Sequence, residues 1–167
     1  MIREFSATNF RSINDTQTIS FVKKSPYKLG EGTHYVTMPD GTDLLRFIAL
    51  YGPNASGKSN IIKAFVFIIN FLISKNKRNF KEPIDGVSLF KFGKDSSFSS
   101  FAIDFYIPDG KGSQVRYIYE LELNEVFVKR ESILYYSSQK PTKIFDRNQK
   151  DEKSETTIQF GTGFKVS

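Results

Sequence analysis

The chain of 167 residues has no cysteine and no tryptophan, and it has a single histidine. Without cysteine there can be no disulfide, no thiolate metal site and no cysteine nucleophile. One histidine, His34, excludes a histidine-rich metal centre, and it reads as a loop residue. Long apolar runs are missing too. The longest, over residues 64–73, is broken by Asn70 and falls short of the roughly 20 residues that a membrane-spanning helix needs. The start, Met1-Ile2-Arg3-Glu4-Phe5, lacks the charged-then-apolar layout of a signal peptide. The expectation is a cytoplasmic protein with no membrane partner.

Hydrophobic residues make up 39% of the chain and charged residues 25%, a globular composition long enough for one domain with a core. The formal net charge is +6, compatible with an anionic partner but equally with a moderately basic soluble domain.

Hydrophobic periodicity divides the chain. Residues 2–9 and 16–22 read as strands joined by the polar turn Ser12-Ile13-Asn14-Asp15. A short extended piece follows at 33–37. Residues 44–51 (Leu-Leu-Arg-Phe-Ile-Ala-Leu-Tyr) are nearly continuous in apolar side chains, which predicts a strand buried on both faces. Residues 59–74 carry one apolar row at Ile61, Phe65, Ile68 and Leu72 and a second at Ile62, Val66, Ile69 and Ile73. Two rows predict a helix buried on most sides. The basic stretch Lys75, Lys77, Arg78 and Lys81 suits the helix end, where cations favour the dipole. After the turn Pro83–Gly86 and residues 87–92, strand candidates follow in succession at 101–107, 115–123, 126–136, 143–146 and 156–160. The most regular, 115–123, alternates Val115, Tyr117, Tyr119, Leu121 and Leu123 with polar residues. Residues 147–155 read as a surface turn or a disordered loop. The predicted fold class is α/β: a strand-rich mixed sheet, one long buried helix, and an antiparallel meander.

Between the buried strand and the helix stands Gly52-Pro53-Asn54-Ala55-Ser56-Gly57-Lys58-Ser59, a full match to the P-loop pattern. Gly52 and Gly57 permit backbone angles that a side chain would block. The loop amides can then converge into an anion nest at the positive end of a helix. Lys58 is expected to reach the β- and γ-phosphates as the catalytic group, and the Ser59 hydroxyl to ligate Mg²⁺.

The extended stretch from Tyr51 to Asn60, followed by Ile61-Ile62-Lys63-Ala64, resembles the loop of ABC-type ATPases of the SMC and RecF kind. It looks closest to AAA_15-like ATP-binding proteins related to the OLD family. In that group the first strand ends in Asn-Phe-Arg-Ser, and Asn9-Phe10-Arg11-Ser12 stands at that place. Similar, less specific pieces are Tyr117–Leu123, the Val128, Glu131 and Leu134 step, and Ile144-Phe145-Asp146-Arg147. The resemblance implies a P-loop NTPase lobe of ABC type with ATP and Mg²⁺ as cofactors. It implies nucleotide contacts from the Gly52–Ser59 loop, Asn60 and Arg11, with residues 9–12 near the base or ribose. Arg11 is equally readable as a surface charge in a turn. It also implies a homodimer around an ATP sandwich in a full-length protein, with DNA or an effector protein as further partner.

Other parts of such an ATPase are not found. There is no Leu-Ser-x-Gly capping motif, and no apolar strand ending in Asp-Glu. Phe101-Ala102-Ile103-Asp104 is followed by Phe105, so Asp104 reads as an outward strand residue and a poor Mg²⁺ ligand. His34 precedes the loop and cannot be the later switch histidine. Asn76-Lys77-Arg78-Asn79 lacks the carboxylate that reads guanine. These gaps, with a last segment that reads as an interrupted strand and turn (157–167), suggest the amino-terminal part of a longer ATPase domain. Such a part binds nucleotide without turning it over. Two alternatives stand beside it: a complete small P-loop kinase using Asp104 or Glu131 as its acid, and a nucleic-acid-binding module using Lys75, Lys77, Arg78 and Lys81.

Overall fold

The computed structural model describes residues 1–26, 30–74, 82–92, 97–136, 138 and 140–161. The basic stretch 75–81 and the last residues, 162–167, lie outside these, so the readings placed on them are not addressed by the structure.

The chain begins with an antiparallel hairpin, β1 (Ile2–Thr8) and β2 (Gln17–Ser20), in which Phe5 faces Ile19 across the ladder. A small second hairpin follows, β3 (Tyr35–Thr37) and β4 (Asp43–Leu45). The helix α1 covers Lys58–Ile73. Then come β5 (Ser99–Pro108), β6 (Gln114–Leu123), β7 (Val128–Tyr136), β8 (Thr142–Asn148) and β9 (Thr157–Phe160). Seven strands form one sheet in the order β2-β1-β5-β6-β7-β8-β9, and every pairing in it is antiparallel. The meander and the single long helix match the sequence reading. The mixed pairing does not occur within this sheet.

Period-two alternation sorts the side chains onto two faces. Phe5 and Ala7 of β1, Phe101 and Ile103 of β5, and Tyr119, Leu121 and Leu123 of β6 are buried together with Ile61, Ala64 and Ile68 of α1. Each fully buried aliphatic contributes about 1.5–3 kcal/mol. The opposite face carries Tyr106, which the β3–β4 hairpin covers with Met38 and Leu44. At the rim of that smaller cluster the Tyr106 hydroxyl donates to Asp40 Oδ2 at 2.7 Å. Burial and this bond push the Tyr106 pKa up to about 12.

Asp104 sits on this second face, and the outward reading of it is wrong. It is 8% exposed and accepts from Arg3 Nη1 at 2.8 Å, Arg116 Nη2 at 2.7 Å and Arg116 Nε at 2.9 Å. Arg3 reaches it because a β-bulge between Ile2 and Glu4 adds one residue to β1 there. The bond to Asp104 raises the Arg116 pKa in turn.

Two further expectations fail on the apolar segment before the P-loop and on the helix after it. Of residues 44–51 only Leu44 and Leu45 are strand, as the end of β4, and residues 47–51 carry no ladder among the described residues. Phe47 is 68% exposed, Leu50 41% and Tyr51 91%. An apolar run becomes a buried strand only where other strands supply hydrogen-bond partners, and none lies alongside among the described residues. On α1 the first row is buried at Ile61 and Ile68, whereas Ile62, Val66 and Ile73 of the second row are exposed. The helix packs against β1 and β5, and that contact covers one side of it. Residues 87–92 are described but form no strand.

Candidate functional site

The P-loop runs from the end of the unpaired segment into α1. Gly57 is the residue before the first helical turn, with φ of +90°, a left-handed angle that favours glycine. Gly52 has little room for a side chain, because a Cβ there would lie 3.0 Å from Ser56 Oγ. Ala55 takes φ of +65° without being glycine, a conformation that costs about 1 kcal/mol or more and marks the tight curl of the loop.

Gly57 has no side chain to cap the helix, and no residue caps it in its place. The Asn60 and Ile61 amides bond back to the Gly57 carbonyl at 2.9 and 3.1 Å. The earlier amides of the first turn are the orphan donors of a helix start, suited to an external anion. Lys58 Nζ lies over the loop, donating to the carbonyls of Gly52 at 2.7 Å and Pro53 at 2.6 Å and to Ser56 Oγ at 3.2 Å. These three acceptors keep the ammonium at the concave side of the loop, close to Gly52. The loop from Gly52 to Ser56 is exposed, as is Ser59, so a polyphosphate can approach from solvent.

The corner at residues 9–12 joins this site. Asn60 Nδ2 donates to Ser12 Oγ at 2.6 Å, linking the first turn of α1 to the end of the first strand. Asn9, only 4% exposed, holds the corner in place. Its side-chain amide donates to the Phe98 carbonyl at 2.9 Å, its Oδ1 accepts from the Phe90 amide at 3.1 Å, and its carbonyl accepts from Ser99 Oγ at 2.6 Å. Asn9 and Arg11 both take positive φ, 51° and 54°, which reverses the chain around Phe10. The Arg11 amide donates to the Ser88 carbonyl at 2.7 Å, and its guanidinium lies 5.4 Å from the centre of the Phe10 ring. Of the sequence-selected residues, the Gly52–Ser59 loop, Asn60, Ser12 and Arg11 thus come together.

Of the two acids of the kinase alternative, Asp104 does not join them, and Glu131 shares with Arg11 only the lining of a larger cavity along α1. Asp104 is held between two arginines on the sheet face away from α1. Glu131 accepts from the Tyr119 hydroxyl at 2.8 Å and from Arg147 Nη1 at 3.3 Å. Burial beside that carboxylate pushes the Tyr119 pKa far up. Among the described residues there is no cluster of three or more His, Asp or Glu able to hold a metal.

Sequence reasoning missed the segment Ser88–Phe92. With Arg11, Ser12 and Asn60 it lines a groove of about 390 Å³ beside the loop. Its residues match no motif, and only the bonds from Asn9 and Arg11 bring them here. A larger cavity of about 1030 Å³ runs along α1 between Arg11, residues 82–86 and Glu131.

Residues 47–166 match the AAA_21 family, described as "AAA domain, putative AbiEii toxin, Type IV TA system". The chain is also similar to the chromosome partition protein Smc of Synechocystis sp., with 37% identity over 65 residues. That alignment covers 39% of this chain and 5% of the cyanobacterial protein, so the chain spans a small part of the relative's length. No solved structure matches. No described helix is long and apolar enough to cross a membrane.

Proposed function

The chain belongs to the AAA_21 family of P-loop ATPase domains, and from that premise we propose that it binds ATP with Mg²⁺ at the Gly52–Ser59 loop. One observation carries the reading: a loop held by Gly52 and Gly57 delivers an uncapped helix start and the Lys58 ammonium to the same concave surface. That donor set fits a polyphosphate. Lys58 would move from the loop carbonyls to the β- and γ-phosphates, and the exposed Ser59 hydroxyl would meet the metal. Bound Mg²⁺ supplies charge neutralisation across the phosphates. The chain's own residues bind and orient.

The same reading holds that these residues form half of an ABC-type active site. The support is physical. Phe47, Leu50 and Tyr51, and Ile62, Val66 and Ile73 on α1, leave apolar surface uncovered on the segments that lead into and out of the loop. Such a surface is ordinarily covered by further protein. Neither Asp104 nor Glu131 stands ready to activate water, since each is bonded to arginine. Nucleotide-bridged pairing of two copies, with DNA or an effector protein as the object of the work, follows from the ABC-type reading. The similarity to a chromosome partition protein supports it.

Titration calorimetry of Lys58→Ala tests the nucleotide site. ATP affinity should fall at least tenfold, with thermal stability nearly unchanged because Lys58 bonds only within the exposed loop. Unchanged affinity would sink the proposal. The chain alone should hydrolyse ATP far more slowly than about 1 s⁻¹, the lower range for competent phosphoryl transfer.

A further inference from the structure

We infer that the groove formed by Arg11, Ser12, Asn60, Phe90, Lys91 and Phe92 seats the nucleoside of the bound nucleotide, with its base stacked on the Phe92 ring. The inference rests on the nucleotide reading above, in which residues 9–12 lie near the base or ribose, and adds the segment Phe90–Phe92 and the ring on which the base stacks.

The groove begins where the phosphate loop ends. Asn60 belongs to the first turn of α1 and bonds Ser12 at 2.6 Å, and a Cβ placed on Gly57 would sit 3.8 Å from Ser12 Oγ. A nucleotide with its phosphates on the loop therefore has this groove directly beside it. Its volume of about 390 Å³ lies within the range of small-ligand sites. Its far wall is fixed to the corner by the Arg11 amide on the Ser88 carbonyl at 2.7 Å and the Phe90 amide on Asn9 Oδ1 at 3.1 Å.

Phe92 is 86% exposed. It is braced by Phe90 edge to face, with ring centres 5.9 Å apart at 70°. One face can be braced while another stays open to a planar base. The lining has two cations, Arg11 and Lys91, and no carboxylate, so nothing in it repels a polyphosphate ligand. The larger cavity, by contrast, sets Glu82, Asp85 and Glu131 beside its cations Arg11, Lys63 and Arg147. A groove with an aromatic ring and no acceptor-rich wall recognises a base by its face rather than its edge.

Competition binding with Mg²⁺ present, comparing ATP with inorganic tripolyphosphate, tests this. The native protein should bind ATP more tightly than tripolyphosphate. Phe92→Ala should lower ATP affinity roughly tenfold and leave tripolyphosphate unchanged, while Phe92→Tyr should keep the ATP preference. Lys58→Ala should weaken both ligands. If the native protein prefers ATP but Phe92→Ala keeps that preference, or if ATP and tripolyphosphate bind equally, the base does not stack here, although the phosphate site stands. If the native protein binds neither ligand, the nucleotide reading falls and the stacking site with it.

Discussion

Residues 101–107 and 47–51 are both short runs of mostly apolar side chains, and they end in opposite surroundings. The first lies in β5, between β1 and β6, with Phe101 and Ile103 almost fully buried. The second leads into the phosphate loop with Phe47 and Tyr51 largely exposed. Hydrophobicity is alike in the two, and ladder partners are not. Strand β5 has a neighbour on each side, and α1 covers one face of it. Among the described residues the 47–51 segment has neither. The helix repeats the contrast within one element, buried at Ile68 and exposed at Ile62. Apolar content thus states what needs covering, and the partners present decide what is covered.

Substitutions can break or sharpen that contrast. The largest effect is expected in the helix. Ile68→Ala, at a fully buried site, should cost about 2–5 kcal/mol by denaturant unfolding, and Ile62→Ala about 0.5 kcal/mol or less. Equal costs would mean that the outer row is covered after all. Next comes Asp104→Ala, which strands Arg3 and Arg116 and should cost about 2–3 kcal/mol while leaving ATP affinity unchanged. A selective loss of Mg²⁺-dependent nucleotide binding would restore Asp104 as a metal ligand.

A smaller effect concerns pH at the β5 end of the second face. The Tyr106 pKa is raised from 10 to about 12 in the folded protein, so the folded state holds that proton more tightly than the unfolded chain. Its contribution is complete below pH 10 and is lost as pH rises toward about 12. Stability measured across that interval should fall, and Tyr106→Phe should flatten part of the fall. Tyr119, also shifted upward, keeps its share. No change in the slope would mean that the Tyr106 hydroxyl is neither buried nor held by Asp40 in solution. The smallest effect on stability belongs to the exposed run. Phe47→Ser and Leu50→Ser should leave the unfolding midpoint of this chain almost unmoved and reduce self-association in sedimentation. In a longer protein that covers the segment, the same changes should instead be destabilising, which makes the pair of experiments a direct probe of the half-site reading.

Much of the fold was legible because the meander strands carry their own signal. In β6 the alternation from Val115 to Leu123 names the face of each side chain, and the turn Pro108–Gly112 sets the hairpin. The phosphate loop was legible for a similar reason, since glycines at 52 and 57 answer a local backbone demand. Residues 44–51 were misread because a run without alternation says only that both faces are apolar, not that neighbours exist. Asp104 was misread because parity gives a face but not what lies on it. Arg116 of β6 and the bulged Arg3 of β1 had to arrive from neighbouring strands. Phe90 and Phe92 carried no motif; the bonds of Phe90 to Asn9 and of Ser88 to Arg11 bring their segment beside residues 9–12.

The sequence by itself determined the P-loop motif, the helix behind it and the succession of antiparallel strands. Each of these is written in residues that are close together along the chain. The tertiary structure decided which apolar surfaces are covered, that Asp104 binds two arginines, and that the corner at Asn9–Ser12 meets Asn60 and the Phe92 groove. Those outcomes depend on contacts between residues 12 to 101 positions apart, and local pattern carries no information about such pairs.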